Sequence, residues 1–220
     1  MLSGATLHAA DLSAKEARDL QAAQQFIQTG EPARAIELLE TLRQDHPDLA
    51  EAPRLLAHAW FAAGELDKAR QAATEALSLG RWSSDVVARL AQIDRDRDDR
   101  LALLNTVRLL TVLDADESQW RLLYADLLAS SNALDEASAV YQMLSDRQPA
   151  RADLHLRLGN IALQQNRLTD AATSMETAWR LGARNADLAT TLAGIWRQRD
   201  DNRQALAWTE RAVLMQSQPP

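Results

Sequence analysis

Small residues recur along the chain at a fixed period, and most of them are followed at helical spacing by larger apolar residues. The first small set repeats every 34 positions and comprises Ala23, Ala57, Ala91, Ala125, Gly159 and Ala193. The second set has the same period and comprises Ala35, Ala69, Leu103, Ala137, Ala171 and Ala205. Phe26 and Trp60 lie three positions after members of the first set, and Leu39 and Tyr141 lie four positions after members of the second. These offsets place side chains on one face of a helix, so the pattern predicts pairs of helices that pack closely at their small residues.

A third ladder lies between the two small sets and predicts a turn in every repeat. Its members are Gly30, Gly64, Asp98, Asn132, Asn166 and Asp200, again spaced by 34. Gly, Asn and Asp tolerate the left-handed backbone that ends a helix. The frame predicts six helix–turn–helix repeats over 16–49, 50–83, 84–117, 118–151, 152–185 and 186–219. Together they form one solenoid domain, 16–219, behind a short leader, 1–15.

Local signals agree with this frame. Ser13 and Glu16 have the spacing of a capping box, which predicts the start of the first helix. Pro47 and Pro149 are predicted to follow the ends of second helices, because proline cannot continue a helix.

The third repeat departs from the pattern at two positions. Leu103 stands where the other repeats have Ala, which leaves open a register slipped by one that puts Ala102 in the small position. Asp94 stands where a bulky residue is expected. The run from Asp94 to Arg100 resembles the start of a calcium loop but lacks that loop's Gly and final Glu. We interpret it as a solvated helix end with local ion pairs.

Composition restricts the possible partners and compartments. The net charge is −7 and the isoelectric point is about 5.1, which disfavours binding to a phosphate backbone, so no nucleic-acid partner is expected. No apolar run is long enough for a membrane span, and no signal peptide is recognisable, so we expect a cytoplasmic protein without direct membrane insertion. A periplasmic protein whose signal peptide has been removed is the alternative.

The sequence offers little catalytic chemistry. There is no cysteine, and the four histidines lack the spacing of metal ligands. No phosphate-binding loop, nucleophile elbow or dinucleotide fingerprint is present. We therefore predict a protein that is not an enzyme and has no metal site and no cofactor.

The repeats resemble the tetratricopeptide repeat (TPR) family. The residues that carry the resemblance are Ala125, Asn132, Ala137, Tyr141 and Pro149 in one repeat and Leu158, Gly159, Ala171 and Ala178 in the next. The early tryptophan of the family pattern is absent. The resemblance implies an all-α fold, a right-handed α-solenoid whose first helices line a concave groove and whose second helices cover the convex face.

The resemblance also implies where a partner would bind. The ninth position of each repeat points into the groove in this family, and here five of these six residues are polar. Arginines on the same helices suit the recognition of carboxylates. The candidate partner-binding residues are Arg54, His58, Gln92, Asp126, Arg157, Asn160 and Arg197. In the TPR subclass that clamps a chaperone's C-terminal carboxylate, only Arg89 would fit, so a chaperone-tail adaptor is not expected.

These observations predict a non-catalytic scaffold that binds a peptide or protein partner in the groove. Two alternatives remain: a subunit of a bacterial pilus, secretion or envelope-polysaccharide assembly, and the TPR portion of a larger sulfotransferase or glycosyltransferase-type enzyme. The last repeat carries Trp196, Trp208 and Leu214 with no further helix in the pattern to cover them, which raises the possibility of a homodimer through the C-terminal end.

Overall fold

In the computed structural model, residues 12–80, 82–114 and 117–217 are described, and in these ranges all regular structure is helical. The first helices of the repeats are α1 (Ala14–Gln28), α3 (Glu51–Ala62), α5 (Ser84–Asp96), α7 (Ser118–Ser130), α9 (Ala152–Gln164) and α11 (Ala186–Gln198). The second helices are α2 (Pro32–Asp45), α4 (Leu66–Ser78), α6 (Arg100–Leu113), α8 (Leu134–Arg147), α10 (Leu168–Arg180) and α12 (Asn202–Gln216). This arrangement confirms the all-α class and the helix pairs predicted from the ladders.

Left-handed residues set the turn inside each repeat. All six residues of the turn ladder have positive φ, from 54° at Asp98 to 79° at Gly64. In each case the first helix ends two residues before this position, and the second begins two residues after it. The predicted turn chemistry is therefore confirmed in every repeat.

The helices group into two compact units, residues 1–120 and residues 121–220. In the first unit a core of Leu, Ala and Val side chains joins α1 to α5, with Leu39 and Leu56 wholly buried. In the second unit a core joins α9 to α12 around Met175 and Leu192. Both small-residue ladders are buried throughout. That all six repeats form a single solenoid domain stays a prediction.

Gly159 shows why one ladder position needs a very small residue. A Cβ atom added there would lie 2.6 Å from Cγ of Met175, on the partner helix of the same repeat. Met175 is itself 1% exposed, so it has little room to move away.

The register of the third repeat is regular. Leu103 is 7% exposed, and its N–H donates to the Asp99 carbonyl at 2.9 Å. Ala69 makes the equivalent bond to Glu65, also at 2.9 Å. Leu103 thus occupies the ladder position despite its size, and the slipped register with Ala102 in that position is wrong.

Asp94 corrects the interpretation of the charged run. Its side chain is 0% exposed, so it does not belong to a solvated helix end. Arg70 Nε donates to its Oδ1 at 2.9 Å, and Thr106 Oγ1 donates to its Oδ2 at 2.7 Å. The carboxylate occupies the interior position expected for a bulky residue, held by the second helices of two repeats. Local ion pairs do occur further along the run, between Arg95 and Asp96 at 3.9 Å and between Arg100 and Asp98 at 3.8 Å. Arg97 pairs instead with the exposed Asp67 of α4.

The two ends of the described chain differ. At the start, the Ser13 N–H donates to Glu16 Oε2 at 2.8 Å and the Glu16 N–H donates to Ser13 Oγ at 3.3 Å, which confirms the capping box. At the end, Trp208 is buried at 5% exposure, whereas Leu214 is 63% exposed.

Helices α2 and α8 end two residues before Pro47 and Pro149, as predicted. In the described part of the chain, no helix is long and apolar enough to cross a membrane.

Candidate functional site

Polar side chains of α3 and α5 meet on the neighbouring faces of these two first helices. Arg54 donates to Asp85 at 2.8 Å and to Glu51 on its own helix at 3.0 Å. Its side chain is only 14% exposed. Burial lowers the pKa of Arg54, but bonds from the guanidinium to Glu51 and the charge of Asp85 outweigh this and raise it. Arg54 is thus a fully neutralised structural cation.

Arg89 lies one helical turn beyond Asp85 and has a different environment. Its Nε donates to His58 Nδ1 at 3.1 Å, and its Nη1 donates to Gln92 Oε1 at 2.6 Å. The guanidinium carbon lies 4.5 Å from the centre of the Phe61 ring. Two neutral acceptors and one aromatic face therefore fix its orientation. We call Arg54, His58, Asp85, Arg89 and Gln92 the Arg89 cluster.

Arg89 forms no ion pair within the described part of the chain. No carboxylate there forms an ion pair with it, because Asp85 is directed to Arg54. Burial lowers the pKa of Arg89 and is the one cause of its shift. The cluster therefore presents an oriented, partly desolvated cation that makes no ion pair with a described residue, while Glu51 and Asp85 both contact Arg54.

His58 is held as a neutral acceptor in this cluster. Burial, the charge of Arg89 and the charge of Arg54, in that order, lower the pKa of His58 to about 4. Since Nδ1 accepts from Arg89, the ring proton lies on Nε2. That atom is buried without a hydrogen-bond partner among the described residues, and Asp85 Oδ2 lies 3.9 Å from it, beyond hydrogen-bonding range.

In the second unit, the positions equivalent to His58 and Arg89 form an ion pair. Asp126 and Arg157 follow His58 and Arg89 by 68 residues, which is two repeats, and they form an ion pair. Tyr141 from α8 completes the group: its hydroxyl donates to Asp126, and its ring centre lies 5.7 Å from the Arg157 guanidinium. Burial and the bond to Asp126 raise the pKa of Tyr141 to about 12. Arg157 is thus neutralised where Arg89 is not.

The seven predicted site residues fall into three groups. Arg54, His58 and Gln92 belong to the Arg89 cluster, and Asp126 and Arg157 hold each other. Asn160 and Arg197 are exposed and make no side-chain hydrogen bond or ion pair within the described ranges. The structure therefore brings together three of the seven in the first unit and two in the second.

Sequence reasoning did not place Asp85 or Tyr141 in the candidate site. For Asp85 a usable signal was present, namely the constant offset in sequence between facing residues of neighbouring first helices; Tyr141, on a second helix, does not follow this offset. Arg54 and Asp85, His58 and Arg89, and Asp126 and Arg157 are each 31 residues apart.

The side chains of the Arg89 cluster determine what it can bind. The Arg89 cluster offers a cation and hydrogen-bond donors but no nucleophile beside a base. Within the described ranges, no group of three or more His, Asp or Glu side chains is placed to hold a metal ion. The chemistry on offer is recognition of an anionic group.

Sequence comparison assigns the repeats to a family. Models of the tetratricopeptide repeat match residues 26–93, 125–186 and 156–220, which is most of the chain. The chain belongs to the tetratricopeptide repeat family. No curated protein matches this TPR chain in sequence.

Solved TPR structures share the fold at low identity. YrrB, a TPR protein with an unusual peptide-binding site, is 16% identical with a TM-score of 0.62, over 90% of this chain and 94% of YrrB. MamA (residues 41 to the end) from Desulfovibrio magneticus RS-1 is 14% identical with a TM-score of 0.59, over 76% of this chain and 94% of that chain. A chain of the Naa15/Naa10 complex bound to HypK-THB is 14% identical with a TM-score of 0.68, over 90% of this chain and 32% of that chain. These likenesses show an α-solenoid of helical repeats.

Proposed function

We propose that this TPR chain is a non-catalytic scaffold that binds an acidic segment of a peptide or protein partner through its first helices. The Arg89 cluster on α3 and α5 is the principal contact. The single observation that carries the proposal is an oriented guanidinium with no carboxylate partner in the described chain. Peptide binding by YrrB, a protein of the same fold, supports this class of function.

The geometry indicates what Arg89 recognises. Two of its N–H groups are used by His58 and Gln92, which leaves donors for a bidentate contact with a carboxylate. The Phe61 face beneath the guanidinium restricts its motion, so less side-chain entropy is lost on binding. A side-chain or C-terminal carboxylate in an extended peptide fits this site.

The other cluster members support Arg89. Arg54 keeps Asp85 engaged, which prevents Asp85 from neutralising Arg89. Neutral His58 orients Arg89 without cancelling its charge. In the second unit Asn160 and Arg197 are additional candidate contacts, whereas Asp126 and Arg157 have each other as partners.

Selection from a random peptide library on the purified chain, followed by fluorescence polarisation on the selected peptides, tests the proposal. We expect the selected peptides to share an acidic residue. Arg89→Gln should weaken their binding about tenfold or more, since a hydrogen-bonded contact to a charged group contributes about 1.5–3 kcal/mol. The affinity of Arg89→Lys should lie between those of the wild type and Arg89→Gln, because an ammonium keeps the charge but lacks the planar fork of a guanidinium.

Arg157 supplies the matched control, since it occupies the equivalent position two repeats later. Arg157→Gln should leave the affinity unchanged, with circular dichroism confirming that both variants are folded. Equal affinity of the wild type and Arg89→Gln for every selected peptide would refute the proposal. The assembly-subunit and enzyme-portion alternatives, like the homodimer, stay predictions.

A further inference from the structure

A cleft recurs on the second-helix side of the repeats, each time beside the residue that follows the first small ladder by three positions. In the first unit this cleft lies beside Trp60 and has a volume of about 270 Å³. Two equivalent clefts occur in the second unit. The cleft beside Ala162 has a volume of about 280 Å³, and the cleft beside Trp196 has a volume of about 410 Å³. Because the three clefts lie at equivalent positions of different repeats, their lining residues can be compared one by one.

The cleft beside Trp196 is lined by aromatic side chains that its equivalents lack. Trp179 and Trp208 line it, where the cleft beside Trp60 has Arg43 and Ala72. The rings of Trp179 and Trp208 pack edge to face, with centres 5.1 Å apart and planes at 86°. We call this site, between α10, α11 and α12, the tryptophan cleft.

The arginines of the two tryptophan-lined clefts differ in their ion pairs. In the cleft beside Trp60, Arg43 pairs with Glu40 at 2.5 Å and with Glu75 at 3.1 Å. In the tryptophan cleft, neither Arg180 nor Arg211 forms an ion pair with any residue the structure describes.

The one carboxylate that lines the tryptophan cleft has another partner. Glu176 accepts a hydrogen bond from Trp196 Nε1 at 3.0 Å. The carboxylate keeps its negative charge in this bond, so the lining of the cleft combines two arginines, one carboxylate and three tryptophans.

Trp208 adds an independent observation. Its side chain is 5% exposed, and its Nε1–H has no hydrogen-bond partner among the described residues. Leaving such a donor unpaired costs about 1–3 kcal/mol. Arg211 lies over the same ring, with its guanidinium carbon 4.2 Å from the ring centre. The unpaired donor thus belongs to a residue that lines the cleft.

We propose that the tryptophan cleft is a second binding site, separate from the Arg89 cluster, for a carboxylate attached to a planar apolar ring. The two arginines bind the carboxylate, and the partly exposed rings of Trp179 and Trp196 contact the apolar ring. The volume is within the range of small-ligand sites and accommodates one such group. A free aromatic acid and the C-terminal aromatic residue of a peptide share this chemistry.

Titration with indole-3-acetate, followed by NMR of the tryptophan side-chain N–H signals, tests the proposal. We expect the Trp196 and Trp208 signals to shift with saturation, and Trp60 and Trp82 to stay unchanged. Indole-3-acetamide and tryptamine, which lack the carboxylate, should bind at least fivefold more weakly. Peptides ending in Phe with a free or an amidated C-terminus distinguish the two sources: tighter binding of the free acid peptide than of indole-3-acetate assigns the site to peptide ends, and the reverse assigns it to small acids.

Variants complete the test. Arg180→Gln and Arg211→Gln should each reduce the affinity at least fivefold. Lys68→Gln, in the equivalent cleft beside Trp60, should have no effect. Binding of the amide as strong as that of the acid, wild-type affinity in both arginine variants, or no saturable shift in millimolar ligand would each overturn the proposal. Arg89→Gln should leave this affinity unchanged, so the two sites are tested separately.

Discussion

Replacing Arg70 with methionine leaves the Asp94 carboxylate inside the first unit without its cation. Asp94 is wholly buried, and its remaining partner would be Thr106. Removing one member of a fully buried ion pair costs about 3–5 kcal/mol. Since the Arg70 side chain is 40% exposed, solvent already screens part of the attraction, and we expect a loss of about 2 kcal/mol.

Urea unfolding followed by circular dichroism measures this loss, provided that the dependence on urea concentration keeps its slope. Arg97→Met is the matched control. Arg97 also joins an Asp of α4 to the region at the end of α5, but that partner, Asp67, is 87% exposed. The control should cost at most about 1 kcal/mol, as exposed pairs do. If Arg70→Met costs no more than Arg97→Met, the argument from the buried carboxylate is wrong.

Three further predictions concern stability in urea. Ser13→Ala should cost about 0.5–2 kcal/mol because it removes the capping box of α1. Because burial and nearby guanidiniums lower the pKa of His58 from 6.5 to about 4, its protonation favours the unfolded chain. Stability that is complete above about pH 6.5 should therefore fall by up to about 3 kcal/mol as the pH drops through 4, and His58→Gln should remove this dependence. Gly159→Ala should destabilise by about 1–3 kcal/mol through the clash with Met175, whereas Gly194→Ala, with open space around it, should stabilise by about 0.5–1 kcal/mol.

Each of these predictions has a contradicting result. Ser13→Ala with wild-type stability would show that the cap contributes nothing. If the free energy of unfolding changes with pH in the same way for the wild type and His58→Gln between pH 7 and 4, the lowered pKa of His58 is contradicted. Gly159→Ala and Gly194→Ala with effects of the same sign would show that the close contact does not restrict the first position.

The helix pairs and their turns were predictable because they depend on local chemistry. Positive φ at Asp98 and Asn132 follows from residue types that tolerate it, and the 34-residue period places every turn. The capping box at Ser13 is likewise a local signal.

The buried Asp94 was not predictable in this way. Its burial depends on Arg70, 24 residues earlier on the second helix of the preceding repeat, and on Thr106. Within its own run of charged residues Asp94 looks like its exposed neighbours. The sequence therefore predicted the helix but not the environment of this side chain.

The candidate site was predictable in its helices but not in its pairing. The groove-facing positions on α3 and α5 were implied by the resemblance to the TPR family, and Arg54, His58 and Gln92 do lie in one cluster. Which arginine keeps a free charge depends on whether the residue 31 positions earlier is His58 or Asp126. That choice distinguishes Arg89 from Arg157, and it requires the packing of neighbouring first helices.

The central claim is that a partner binds the first helices of the first unit. Amide NMR of the chain, titrated with a library-selected acidic peptide, maps the contact directly. The account predicts shifts concentrated in residues 51–62 and 84–96, around the Arg89 cluster, with little change in residues 66–78 and 100–113. Shifts confined to the second helices α4 and α6 would contradict it.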